Sequence, residues 1–340
     1  MNICLALSHS IEEYDMVRLF HSLGYGVFSI GGYIDPSQPH DAKRPALPEV
    51  PHHVELHAAV DALGTQDNLG NAQSSIPDAI LDWLGDDGAI IFHHNLGRLF
   101  GQWADLRRRF RGRIIWRTVG QSVEGNERDA EPFRADGLEI VRYSPKERNI
   151  PGYAGEDALI RFYKDPTEWN GWTGEDPTVI QFVQNFNARW QWCNRPFFEE
   201  ATDGLQRAVY GPQSTELTYG HGVLSLPDMQ ARLRSARAYL YTGTQPASYT
   251  LGLIEAMMTG IPVVSIGPAH MTIFPYGPDL FEGHEIAGPS SNDPAFARGL
   301  LSDYLRDMEL AQLHSRSTQA TARSMFGIDQ VGPAWKAFLG

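Results

Sequence analysis

The sequence predicts an α/β protein made of two Rossmann-like domains, and three of its features point that way. Residues 239–266 read YLYTGTQPASYTLGLIEAMMTGIPVVSI. A short apolar segment leads through a polar loop, a second apolar segment and a Thr-Gly stop into a β-branched run, which is the punctuation of a βαβ unit. The chain opens in the same manner, with an apolar strand over 2–7, a helical pattern over 11–23 and a second strand over 27–30. At 340 residues it is long for one core and suits two.

In the 239–266 unit the loop after the first strand falls at the carboxyl edge of a parallel sheet, where α/β proteins bind their ligands. Ser248 and Thr250 are the candidate caps of the following helix. The backbone N–H groups at Tyr249, Thr250 and Leu251 then lie at the positive end of a helix dipole, which suits a phosphate. Glu255 follows roughly 7 Å along the axis, on a segment that is apolar nearly all round. A buried carboxylate needs a partner. The partner is either the ribose of a bound nucleoside diphosphate or a structural arginine.

The run PASYTLGLIEAMMTGIPVV resembles the donor-site signature of GT-B glycosyltransferases, especially the large retaining glycosyltransferase family four. In that signature an acidic residue, seven others and a second Glu precede Ala-Met and a Gly-x-Pro-Val-Val strand. Glu255 matches the second Glu, which the family uses to hold the ribose hydroxyls of the sugar nucleotide. The first acidic position, which in the family contacts the transferred sugar, falls on Ala247. The resemblance implies the GT-B architecture, two Rossmann-like domains facing across a cleft, and the order of elements extends it over roughly the last half of the chain.

The first domain is expected over 1–166. Gly24 and Gly26 follow its first helix instead of preceding it, so they read as a helix C-cap and not as a dinucleotide fingerprint. Residues 35–54 read as a long loop. His53 and His57 have the spacing of metal ligands on a helix face, but with no third ligand at motif distance they read as a solvated helix start, and no metal site is expected. A helix over 76–84 and a strand over 89–92 lead to His93 and His94. In the GT-B enzymes the corresponding strand end often carries a His facing the cleft, which makes both candidates for acceptor or donor contacts; a polar loop with one satisfied histidine is the plainer reading. A helix over 99–110 carries Arg107, Arg108 and Arg109, with Arg111, Arg113 and Arg117 beyond. These cations either complement the helix dipole on a solvated face or bind a phosphorylated acceptor or a nucleic-acid backbone. The stretch GQSVEG at 120–125 misses a nucleophile elbow by one residue, and no helix clearly follows, so a hydrolase triad is not expected. Glu124 and Glu127 could reach an acceptor hydroxyl as acid/base groups. Strands over 139–143 and 159–163 close the domain.

A linker over 165–176 carries Trp169 and Trp172, and Trp190 and Trp192 follow soon after. Indole faces stack on sugars or pack hinges. The second domain is expected over 177–325, beginning with a strand over 178–184 and a loop with Asn185, Asn187, Arg189 and Arg195. In the resembling family this loop supplies basic residues to the donor diphosphate, where negative charge builds as the nucleotide departs; Arg189 and Arg195 are the choices here. After a helix over 196–205 and a strand over 207–210, residues 220–224 (GHGVL) fall where the family's loop holds the nucleotide base, which makes His221 and Val223 candidates, or else they form an ordinary turn. A helix over 227–235 leads into the central unit. Residues 267–285 are rich in loop formers. Helices over 293–308 and 310–325 follow, and the resemblance implies that a last one, over 326–340, crosses back to the first domain.

Twenty-eight Lys and Arg against 41 Asp and Glu give a formal charge of −13, which disfavours nonspecific attraction to nucleic acid or anionic membrane. Hydrophobic content of 42% and charged content of 20% are those of a soluble globular protein. Two cysteines, Cys4 and Cys193, indicate no disulfide framework and fit a reducing cytoplasm. No apolar stretch approaches the ~18 residues a bilayer span needs, and no signal peptide is legible. The sequence is thus expected to encode a cytoplasmic glycosyltransferase with a nucleoside-diphosphate sugar as donor, a UDP-sugar first among them. It needs no further cofactor, and a small molecule, a glycan or a nucleic acid is the acceptor. A sugar-nucleotide epimerase or hydrolase, and a binding protein with a decayed donor site, are the competing readings; Ala247 keeps the last alive.

Overall fold

The computed structural model describes residues 1–6, 9–35, 40, 42–63, 76–93, 96–120, 123–270 and 290–340. His94 and most of the 267–285 stretch lie outside the described residues. The chain divides into two compact units, one of Met1–Gln38, Ala42–Arg161 and Ala334–Gly340, the other of Phe162–Pro333 with Pro39–Asp41. Each is a parallel-sheet α/β domain, the class the sequence predicts.

The first unit runs β1 (Asn2–Ala6), α1 (Ser10–Ser22), β2 (Gly26–Phe28), α2 (Val54–Asp61), α3 (Asp78–Leu84), β3 (Ala89–Phe92), α4 (Leu96–Gly101), α5 (Trp103–Arg109), β4 (Arg113–Arg117), α6 (Glu124–Arg134), β5 (Leu138–Arg142) and β6 (Ala158–Leu159). Among the described residues its sheet has the order β2-β1-β3-β4-β5-β6 with every pairing parallel. The central strands are apolar without alternation because both their faces are covered. Phe28, Ile90, Ile114, Ile140, Leu106 and Trp116 are buried members of its core.

Three expectations are corrected here. The helix expected over 99–110 is two, α4 and α5, because Gln102 leaves helical geometry between them, next to Gly101. A helix does follow the 120–125 motif: α6 is nearly all polar, contains Gly125 and Pro132, and buries only Glu127 and Ala130, so it offers no apolar stripe to read. The strand expected over 159–163 shortens to β6, only Ala158–Leu159.

The second unit contains β7 (Asp176–Phe182), α7 (Arg195–Ala201), β8 (Arg207–Tyr210), α8 (Leu226–Ser235), β9 (Ala236–Tyr241), α9 (Leu251–Thr259), β10 (Val263–Ile266), β11 (Ser290–Ser291), α10 (Pro294–Arg306) and α11 (Met308–Phe326), and α12 (Ile328–Leu339) ends the chain. Among the described residues its sheet has the order β11-β10-β9-β7-β8, again parallel throughout. The βαβ unit read from sequence is β9-α9-β10. The Thr250 hydroxyl caps α9 by accepting from the Leu253 N–H at 3.2 Å, and Gly260 ends the helix at φ +98°, a left-handed conformation that favours glycine. Residues Ala334–Gly340 belong with the first unit, where Trp335 packs edge-on against Phe20 at 5.0 Å and Arg113 donates to the Phe338 carbonyl at 2.7 Å.

Glu13 of α1 ties that helix to the turn after β2, accepting from the N–H groups of Gly31 at 3.1 Å and Gly32 at 3.3 Å. Gly31 is left-handed at φ +73°, and a Cβ on Gly32 would stand 2.8 Å from the Glu13 carboxylate. Burial pushes the Glu13 carboxyl up to about 7, against the opposing effect of its hydrogen bonds from Ser29, Gly32 and Gly31. The folded state therefore holds a proton that the unfolded chain releases near pH 4.5. Stability should fall as pH rises from about 4.5 to about 7 by on the order of 3 kcal/mol. Urea titrations across that window should show the decline in the native protein and a flattened profile in Glu13→Gln; equal slopes in both would contradict this assignment.

Candidate functional site

In the second unit strand order reverses between β7 and β9, and a ligand crevice in such a sheet lies outside the carboxyl ends of the strands at that reversal. The two loops that leave these ends are laced together. The Gln245 N–H donates to the Trp192 carbonyl at 2.9 Å, Asn194 Nδ2 to the Thr242 carbonyl at 2.9 Å, and the Thr242 hydroxyl to the Cys193 carbonyl at 2.6 Å. Gln181 Nε2, from β7 itself, reaches the Thr242 hydroxyl at 2.7 Å. Arg189 Nη2 donates to the Gln245 carbonyl at 2.9 Å, which places its guanidinium against the loop that leads into α9.

That loop delivers the amino end of α9 firmly. Ser248 and Tyr249 are buried, and the Tyr249 ring packs against Phe162 at 5.6 Å and Phe326 at 5.8 Å. Leu251 is half-buried, and a Cβ on Gly252 would meet nothing within 4 Å, so the first turn of α9 borders open space. Backbone N–H groups of a first helical turn beside open space are suited to an anion. Ala247 closes the tight turn before them, its N–H donating to the Thr244 carbonyl at 3.0 Å.

Glu255 finds its partner in Lys164, whose Nζ lies 2.6 Å from the carboxylate; the two side chains are only 0% and 4% exposed. Lys164 also stands over the Trp169 ring at 5.8 Å, and its N–H donates to the Phe326 carbonyl at 3.0 Å. Of the two partners weighed from sequence, a protein cation is present, a lysine in place of the arginine.

The remaining candidates of this unit lie around that crevice in differing states. Arg195 opens α7 and is engaged with Glu199 at 2.9 Å and Asn187 at 2.5 Å, while the Tyr219 hydroxyl donates to Glu199 at 2.6 Å. His221 and Val223 are exposed beyond β8. The His221 ring is 5.4 Å from Tyr210, which itself stacks on Phe182 at 5.0 Å, so His221 is the outer member of an aromatic series across the ends of β7 and β8. Burial raises the Cys193 thiol above its ordinary value, against the opposing Thr244 hydroxyl and Arg189 charge, and burial raises Cys4 as well. Neither thiol is thus a ready nucleophile.

In the first unit the order reverses between β1 and β3. His93 follows β3, is buried, and sets Nε2 3.1 Å from Met16 Sδ. Glu124 opens α6, exposed and paired with Arg128. Glu127 is fully buried in a bidentate pair with Arg142 at 2.7 and 2.6 Å, a structural place and not one open to an acceptor hydroxyl. His57 Nδ1 meets the His53 carbonyl at 2.9 Å at the start of α2, and no cluster of three metal-ligating side chains occurs among the described residues.

Most of the arginine run is paired within the first unit. Arg107 donates to the Gly112 carbonyl at 2.9 Å, Arg108 to Asp105 at 2.5 Å, and Arg109 to Asp78 at 2.5 Å and the Ile76 carbonyl at 2.7 Å. Arg113 grips Glu139 at 2.8 and 2.5 Å, and Arg117 is buried against Glu12 and the carbonyls of Arg142 and Ile160. Arg109, Arg113 and Arg117 cross-link elements of the first unit, whereas Arg107 and Arg108 bond locally and Arg108 and Arg111 remain exposed.

Sequence reasoning missed Lys164 and Gln245. Glu255 on an apolar helix signalled that a partner was required, but Lys164 lies 91 residues away and nothing local marks it. Gln245 is joined to Trp192 and Arg189 through its backbone, which no side-chain motif reports.

No family model matches the chain, and no curated protein matches it. Solved structures do. Sucrose-phosphate synthase from Thermosynechococcus elongatus is similar with a TM-score of 0.63 at 13% identity, over 99% of this chain and 98% of that one. A glycosyltransferase from Rickettsia africae is similar with a TM-score of 0.63 at 11% identity, over 99% and 97%. HepE from Anabaena, in complex with UDP-glucose, is similar with a TM-score of 0.61 at 13% identity, over 99% of each chain. At these identities the likeness establishes the fold, the two parallel-sheet α/β domains of GT-B glycosyltransferases.

Proposed function

We propose that this chain transfers a sugar from a nucleoside-diphosphate sugar, a UDP-sugar in the first instance, to an acceptor hydroxyl. One observation carries the proposal: at the strand reversal of the second unit, the open first turn of α9 and the Arg189 guanidinium meet on one loop. A diphosphate seated there receives backbone N–H groups, the helix dipole and a fixed cation. These groups stabilise the charge that develops as the nucleotide leaves. Arg195, held by Glu199 and Asn187, adds a second positive charge nearby in sequence.

In this reading Ser248, Tyr249, Thr250 and Leu251 present the phosphate-binding turn. Glu255, oriented by Lys164, meets the ribose hydroxyls through the 4% of its side chain that stays exposed, and His221 and Val223 border the base. His93, His94 and Glu124 are assigned to the acceptor side. The likeness of residues 246–264 to the family-four signature supports retention of anomeric configuration, and the scheme neutralises the leaving group with protein cations, without a metal. UDP-glucose is the ligand of HepE, a structure of this fold, which favours uridine among the bases. The internal pairing of the arginine run favours a small-molecule or glycan acceptor over nucleic acid.

The test is turnover of UDP-glucose and other nucleotide sugars with simple hydroxyl acceptors, following released diphosphate and product configuration by NMR, with and without EDTA. The proposal expects an α-linked product from an α-linked donor, formed equally in EDTA. A β-linked product would overturn retention, and loss of activity in EDTA would overturn the metal-free scheme. Binding of nucleotide without release on any acceptor would leave a binding protein instead.

A further inference from the structure

Four tryptophans flank β7 in the second unit, and the structure separates them into two classes. Trp169 is buried beneath Lys164, and Trp172 is half-buried with its indole N–H donating to the Ala236 carbonyl at 2.7 Å. Trp190 and Trp192, in contrast, are 46% and 39% exposed. A partly exposed indole beside a ligand crevice offers a flat apolar face to a bound ring.

The backbone beneath them is not loose. The Arg189 N–H donates to the Asn185 carbonyl at 2.8 Å, the Cys193 N–H to Arg189 at 3.0 Å, and the Arg195 N–H to the Trp190 carbonyl at 2.9 Å. The Trp192 carbonyl accepts from Gln245 of the opposite loop at 2.9 Å. Arg189 reaches across the same junction, its guanidinium 5.7 Å from the Trp192 ring centre and its Nη2 on the Gln245 carbonyl. The Trp192 ring is therefore held beside the cation assigned to the diphosphate, on the loop pair that ends at Ala247.

We infer that Trp192 is a stacking platform for the hexose ring of the nucleotide-sugar donor, with Trp190 as its exposed neighbour. The inference rests on the donor-site reading above. The C–H face of a pyranose is apolar and suits an indole, and a group one bond beyond the phosphates lies within reach of a ring already packed on Arg189. Ala247 offers no carboxylate for the sugar hydroxyls, so stacking is a means of holding that ring which this crevice does possess.

Calorimetric titration of UDP and of UDP-glucose into the native protein, Trp192→Ala, Trp192→Phe and Trp190→Ala tests this. Stacking of this kind corresponds to roughly a five- to ten-fold change in affinity. Trp192→Ala should weaken UDP-glucose by that factor and leave UDP within about two-fold, and Trp192→Phe should retain most of the affinity. Equal weakening of both ligands would overturn the inference in favour of a platform for the nucleotide. Unchanged binding of both would overturn it outright, leaving the indoles to the acceptor or to packing. If the native protein binds neither ligand, the donor-site reading itself fails, and the platform with it. If UDP binds natively and the variants show no split, only the platform fails.

Discussion

Lys164→Met should destabilise the second unit by about 3–5 kcal/mol, the cost of stranding a buried carboxylate without its cation. Lys164 and Glu255 are nearly fully enclosed and 2.6 Å apart, so solvent does little to screen either charge. Glu255 also sits on the helix that carries the proposed phosphate turn, among Leu253, Ile254, Ala256, Met257 and Met258, all buried. Glu255→Ala should cost a similar amount for the mirror reason. The double variant Lys164→Met with Glu255→Leu should recover much of the loss, because an apolar pair of comparable volume removes both desolvation costs. Urea unfolding of the three variants checks this, the two units being resolved as separate transitions where they occur. Single variants within 1 kcal/mol of the native protein would show that the pair is not closed to water.

The second large effect belongs to the first unit. Glu127→Ala should cost about 3–5 kcal/mol by the same mechanism. Arg142 is fully buried between the Trp116 ring at 5.1 Å and the Tyr153 ring at 4.6 Å, and both its terminal nitrogens are bound by Glu127. Glu147, 3.9 Å away, offers only partial compensation, since burial raises its own carboxyl above the ordinary range and the Arg142 charge merely opposes that. Glu127 also accepts from the Ala154 N–H at 2.9 Å, so the truncation leaves a second donor unmet. A scanning-calorimetry shift confined to the first unit is the expected outcome, and an unshifted transition would contradict it. Glu127→Gln should restore part of the loss by keeping one acceptor oxygen.

Much of the fold was legible because its signals are local. The β9-α9-β10 unit shows its boundaries in five residues or fewer: Thr250 caps, Gly260 stops, and Val263 and Val264 begin the next strand. Helix α6 was not legible, since its single buried face is made by Glu127 and Ala130 and no apolar period exists to be counted. The same holds for the charges. Six arginines close in sequence read as a patch, yet Arg109 finds Asp78 at a separation of 31 residues and Arg117 finds Glu12 at 105. Pairing of that kind is decided by the sheet order, which local sequence does not carry. Of the candidate site, the phosphate turn and Glu255 were visible as a cap and a lone carboxylate. Lys164 and the lacing of Gln245 to Trp192 arise only when β7 and β9 become neighbours.

The central claim, that the reversal between β7 and β9 holds a nucleoside diphosphate, is tested most directly by titrating UDP, GDP, ADP and TDP into the native protein and into Arg189→Ala. Arg189 is half-buried and bonds one backbone carbonyl, so its removal should leave the melting temperature nearly unchanged. The account predicts that UDP binds the native protein at one site and that Arg189→Ala weakens it roughly 10- to 100-fold, the range of a hydrogen bond to a charged group. Equal affinity in the two proteins, or no binding of any of the four nucleotides, would contradict it.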